Sequence, residues 1–195
     1  IEGGIIRAVG QADDLRRQHP QARITDYRDA LLSAGFVDAH VHYPQTAIIA
    51  SWGKRLIDWL NTYTFPEEMR FSDPAYAAAI AGRYLDLTLA NGTTTVCTYA
   101  TIHPASVDAI FEAAQTRGQR IYAGKTCMDR NAPEGLRDTA QSAYDDSRAL
   151  LEKCRDGGQL NLSQVMVVLP GARAGRRLLE ILVSRCEEQG LALVP

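Results

Sequence analysis

A parallel α/β fold is predicted for this chain by three observations. Short β-branched runs such as TTTVCTYA (93–100) and VMVVLP (165–170) alternate with helical stretches. The helices open at Pro74 and Pro104 and stop at NG (91–92) and Gly118, where helix ends are expected. Strands separated by helices of this length need crossover connections, which run the strands parallel. Such a series is either doubly wound or a (β/α)₈ barrel. A complete barrel takes about 250 residues, and only four or five strands can be read here, so the pattern alone leaves both open.

In chain order, IEGGIIRAVG (1–10) alternates loosely around glycines and suits a short hairpin strand. QADDLRRQHP suits a turn and a short helix that stops before Pro20. RITDYRDALLSAGFVDAHVH holds two strand-like segments, the second from Gly35 to Val41. Leu56, Ile57, Trp59 and Leu60 have helical spacing. A longer helix follows from Pro74 to Ala90, then the strand at 93–100 and a helix from Pro104 to Gly118. QRIYAGKTCM reads as a third strand, and about Leu136 to Cys154 as a third long helix. RDGGQLNLSQ (155–164) is a joint, followed by VMVVLP, the helix of GARAGRRLLEILVSRCEEQG and the strand LALVP. Leu178, Ile181 and Leu182 share one face of that last helix. The chain opens without methionine in what reads as half a hairpin and closes on a strand-like run. It is therefore expected to be a piece of something longer or a truncated product.

Composition narrows the class. Hydrophobic residues make up 46% and charged residues 23%, as in soluble globular domains. With 21 basic and 23 acidic residues the net charge is −2, so no nucleic-acid or anionic-membrane partner is expected. No apolar run could span a bilayer, and no signal peptide opens the chain. Cys97, Cys127, Cys154 and Cys186 are widely spaced without a CxxC pair. That favours reduced thiols in a cytoplasmic protein over disulfides or a zinc ribbon. Cys97 and Cys127 read as small apolar fillers of buried strands.

The chemistry concentrates in SAGFVDAHVHYPQ (33–45). His40 and His42 are two apart on a strand, so both imidazoles point to one face and can share a divalent metal. Asp38 is expected on that face, deeper. HxH alone is a weak motif; the apolar strand and acid in frame with it strengthen it. NGTTT reads as a helix stop and strand start, since it lacks a phosphate loop's glycine spacing and lysine. His103 follows a strand end and is expected to be structural or to face a substrate, and His19 to be solvated. Glu67 and Glu68 are expected to serve a helix start through its dipole. Asp129 and Arg130 are expected to pair with each other or to line the site mouth. The HxE and PCxxC motifs of one class of zinc deaminases are absent.

GFVDAHVH resembles the first barrel strand of the amidohydrolase superfamily. Together with HVHYPQ, LIDWLNTYTFPEEMRF, NGTTTVCTYATIHPASVDAIFEAA and GKTCMDRNAP, it makes residues 1 to about 155 similar to the guanine deaminase family. The resemblance implies a partial (β/α)₈ TIM-type barrel with a small N-terminal β segment. Residues 1–35 would belong to a small β-sandwich domain and 36–160 to the first βα units of the barrel. It implies zinc held by His40 and His42, and Gln45 as a contact to the substrate, guanine. Trp52, Trp59 and Phe65 fall in segments that cover the purine in the family, or form the aromatic core of a loop and helix. The implied reaction is hydrolysis of guanine to xanthine and ammonia by a zinc-activated hydroxide, in a cytoplasmic protein for which a homodimer stays open at full length. The family's third histidine ligand comes later in the chain, yet no histidine follows His103. The isolated chain is therefore expected to be inactive. Residues 161–195 depart from the family as a βα unit of uncertain origin, faintly like helicase–exonuclease subunits of DNA repair. PGARAGRR lacks a P-loop's GK[ST] ending, and Arg173, Arg176 and Arg177 read as a solvated helix start. Two other readings stand beside this one. The first is an amidohydrolase acting on a cyclic amidine such as a triazine or pterin; the second is a non-catalytic fusion remnant with a DNA-repair-like C-terminal piece.

Overall fold

Strands β1 (Phe36–His42), β2 (Thr93–Tyr99) and β3 (Arg120–Gly124) lie side by side in chain order, all parallel. In the computed structural model, residues 1–53, 55–153, 155–156, 159–160, 180, 184 and 188 are described. The chain divides into two units, Ile1–Ala34 and Gly35–Pro195. No helix among the described residues is long and apolar enough to cross a membrane.

In the first unit, α1 (Ala12–Gln18) carries Asp13 and Asp14 in its first turn and Arg16 and Arg17 in its last. Each charge suits its end of the helix dipole, and the pairs Asp13–Arg16 and Asp14–Arg17 span one turn. The hairpin strand expected over 1–10 is present only as one antiparallel bridge, Glu2 to Ile5, around Gly3 and Gly4 at positive φ. The strand-like segment expected before Gly35 is irregular, with Leu31 94% exposed. Apolar alternation makes a strand only where an edge is available to pair with, and none is offered among the described residues of this unit.

The second unit layers α4 (Pro74–Ala90) and α5 (Pro104–Arg117) against the sheet. Asp73 caps α4 by accepting from the Ala75 amide, and Pro74 fills the first turn, where no amide donor is needed. Fully buried Ala77, Ala81 and Leu85 bring α4 close to Val96 of β2 and Ile110 of α5. Gly118 ends α5 in the left-handed conformation at φ 63°. Both helices occupy the ranges expected. α6 (Ala140–Glu152) starts later than expected, because a Thr139–Ser142 capping box sets its first turn. β3 stops at Gly124 instead of running on to Met128. Lys125 turns inward there, its side chain only 2% exposed, to meet the buried Asp138 at 2.8 Å.

Beyond α6, β4 (Arg155–Asp156) and β5 (Gln159–Leu160) form a two-stranded antiparallel ribbon in the stretch read as a joint. VMVVLP, LALVP, Cys154, Cys186, the arginines Arg173, Arg176 and Arg177, and the helical face of Leu178, Ile181 and Leu182 lie outside the described residues.

Candidate metal and ligand site

The C-terminal end of β1 is fixed from behind by Tyr43. This residue is fully buried, its amide donates to Thr98 Oγ1 at 3.0 Å, and its hydroxyl donates to the Ser106 carbonyl at 2.5 Å. Burial pushes its phenol pKa up, which keeps it a neutral donor. Immediately before this anchor, His40 and His42 share one face, with ring centroids 5.5 Å apart. Tyr99, paired with His42 across the sheet, stacks on His42 at 4.8 Å and meets His40 edge-on at 5.4 Å. Burial, and then the neighbouring His40, hold the His42 pKa below the ordinary imidazole value. A neutral imidazole keeps a lone pair for a metal.

After Tyr43 the chain winds into a 3₁₀ segment (Tyr43–Ile48) opened by Pro44 and closed by a 2.6 Å bond from Thr46 Oγ1 to the Tyr43 carbonyl. Gln45 stands on this turn and donates from Nε2 to Glu68 Oε1 at 3.3 Å. Glu68 comes from a helical run made of α2 (Leu56–Trp59), a π turn (Leu60–Thr64) and α3 (Phe65–Met69). The wider π turn shifts the helix register, and Phe65, Glu67 and Glu68 of α3 are all buried. Val41, His42, Gln45, Ile48, Trp59 and Tyr84 are among the residues lining a cavity of about 260 Å³. Trp59 is held in that wall by a 3.2 Å bond from its indole nitrogen to the Ser51 carbonyl.

Several expectations are corrected here. Asp38 does not share the histidine face: β1 bulges between Asp38 and Val41, which places Asp38 opposite Val96, on the side of the core helices near Tyr84. Its carboxylate accepts from the His40 amide at 3.1 Å. Cys127 lies past the end of β3 and is exposed, and Cys97 is only partly buried; both are free thiols. Glu67 and Glu68 are each 6% exposed and have side-chain partners, beyond any service to the helix dipole. Glu67 takes Arg70 at 3.0 Å and the Tyr76 hydroxyl, while Glu68 takes Gln45. Trp52 is 74% exposed, and Phe65 packs with Ile102, Ala132 and Leu136. His103 sits beside Lys125 and Asp138, His19 is exposed, and Arg130 pairs with Asp129 at 3.3 Å. Tyr99 escaped the sequence reading. Its signal was the period-two run Thr95, Cys97, Tyr99, which puts a ring at the end of the neighbouring strand.

As a metal site, His40 and His42 fit two positions of a zinc sphere: two nitrogen donors on one face, one of them held neutral. Among the described residues no group of three or more His, Cys, Asp or Glu is placed to hold an ion.

Residues 31–173 match the model of the Amidohydrolase family, so the match runs past residue 160. The chain belongs to this family. Residues 1–22 match the imidazolonepropionase-like composite domain of bacteria. The guanine deaminase of Escherichia coli K12 is 44% identical over 161 residues, covering 82% of this chain and 37% of that protein. The crystal structure of guanine deaminase from Bradyrhizobium japonicum superposes with a TM-score of 0.73 at 37% identity, covering 80% of this chain and 34% of that one. A C. acetobutylicum guanine deaminase solved with bound guanine in its active site gives 0.67 at 33% identity, covering 70% and 33%. This amidohydrolase chain thus spans about a third of the length of the relatives it matches.

Proposed function

We propose that this chain supplies the metal-binding first strand and one wall of the purine site of a guanine deaminase, its parallel sheet being the opening strands of a (β/α)₈ barrel. The observation that carries this reading is the constellation at the end of β1. Two imidazoles on one strand face, their rings edge-on at 67°, and a carboxylate-held glutamine sit within one turn of each other, in a chain similar to guanine deaminases along most of its length. When bound, zinc supplies Lewis-acid activation of a water molecule. His40 and His42 present nitrogen donors to that ion, and Tyr99 stacked on His42 restrains the ring that must hold its angle. Gln45 orients the base, so that its C2 lies where water can add and ammonia can leave, giving xanthine. Trp59 keeps the cavity wall beside Gln45 apolar.

The test is ammonia release from guanine by the zinc-loaded full-length protein. His40→Ala and His42→Ala should each lower zinc content, and lower turnover at least about a hundredfold, since even outer-shell changes cost 10–100-fold. Turnover of a triazine or a pterin with none of guanine would replace the substrate named here.

A further inference from the structure

We infer that Glu68 is a positioning residue that fixes the side-chain amide of Gln45, so that Gln45 meets a ligand with its carbonyl oxygen and selects ligand edges carrying N–H donors. The inference rests on the purine-site reading above and deepens it. An ionised carboxylate has only acceptors, whereas a glutamine amide offers a donor on one side and an acceptor on the other. Glu68 Oε1 accepts one of the two Nε2 protons at 3.3 Å, which turns the donor side of the amide towards Glu68. The acceptor side is left for whatever enters the cavity that Gln45 and His42 both line.

Three features make this arrangement specific. Glu68 is 6% exposed; burial raises its carboxyl pKa and the bond from Gln45 pulls it back down, so that bond favours the ionised, acceptor-only form. The other carboxylate of the pair, Glu67, is engaged by Arg70 and the Tyr76 hydroxyl, so it does not compete for Gln45. The backbone beneath Gln45 is held at both sides, by Tyr43 on Thr98 and by Thr46 on the Tyr43 carbonyl. With the backbone held, the freedom left at Gln45 is in its side-chain torsions, and the bond to Glu68 restrains them. Guanine carries N–H donors at N1, at the 2-amino group and on its imidazole ring. An edge made only of acceptors would set oxygen against oxygen here and lose the contact.

The experiment uses the full-length protein in three forms: wild type, Glu68→Ala, and the swapped pair Gln45→Glu with Glu68→Gln. The swap reverses donor and carboxylate but still leaves an acceptor oxygen at position 45. The Gln45 side-chain amide signal in ¹⁵N-resolved NMR should move in E68A. Calorimetric binding to the metal-free protein, using guanine and its 1-, 7- and 9-methyl derivatives, then reads the ligand edge. E68A should weaken guanine about tenfold, the scale of one oriented hydrogen bond. One methyl derivative should lose a similar factor in wild type and nothing further in E68A, and the swapped pair should restore guanine binding. An amide signal indifferent to E68A, equal losses for every ligand, or a swapped pair as poor as E68A would each overturn the inference. If the amide signal responds but wild type neither binds nor deaminates guanine, the positioning role stands and the purine reading fails.

Discussion

His103 stands between β2 and α5, its amide donating to Thr101 Oγ1 at 3.2 Å. Its Nε2 is buried without a hydrogen-bond partner among the described residues. Burial, then the Lys125 ammonium, hold its pKa below the ordinary value, with Asp138 and Asp146 pulling the other way. A histidine depressed in the folded state contributes stability above its unfolded pKa of about 6.5 and loses it as pH falls further, because the unfolded chain then binds the proton more readily. Denaturant midpoints should therefore drop as pH falls below about 6.5, and His103→Gln should make that drop shallower. His42, shifted in the same direction, leaves a residual slope in the variant. Identical pH slopes for wild type and H103Q would show that His103 is not a proton-linked site of the fold.

At the scale of elements, β1 is placed by its parallel pairing with β2 and by a close approach at its start. Gly35 precedes it where a Cβ would lie 2.7 Å from Thr94 Cβ and 2.1 Å from Thr94 Oγ1, so only glycine fits that approach. Gly35→Ala should cost about 1–3 kcal/mol as overpacking. It should also lower zinc retention in the full-length protein, since the displaced strand carries both imidazoles; urea unfolding and metal analysis check the two together. An unchanged midpoint with unchanged zinc would mean that the strand start tolerates the methyl group. The elements that could be read from sequence have local chemistry at their ends: Pro74 and Asp73 for α4, Pro104 and Gly118 for α5, two-residue spacing for the histidine face. The bulge between Asp38 and Val41 has no such local mark, and it moved Asp38 to the other side of the sheet. Glu68 was legible as a helix residue but not as a partner of Gln45, because the contact joins positions 23 apart and depends on a π turn. Cys127 was misplaced for a related reason. Lys125 ends β3 by pairing with Asp138, which the strand-like run up to Met128 does not announce.

For the molecule as a whole, the donor count sets the strongest expectation. Two imidazoles at 5.5 Å can hold zinc only weakly, because a zinc site takes three or four protein ligands and draws its stability from the closed set. The two other histidines give no obvious third donor: His19 is exposed in the unit Ile1–Ala34, and His103 stands beside the Lys125–Asp138 ion pair. The outer edge of β1 is also uncovered among the described residues, with Phe36 61% and Val37 67% exposed. Such an edge favours association with other strands. The 195-residue chain, prepared alone and dialysed, should therefore retain well under one zinc per chain by atomic absorption and release no ammonia from guanine. The measurement should be repeated over a range of protein concentrations, because an open edge and an unfinished coordination sphere can both be completed by a second copy. Zinc content that rises towards one with concentration would place the missing donors on that copy. Stoichiometric zinc with turnover at every concentration would show that a single chain completes the site, and the two-ligand account of β1 would have to be given up.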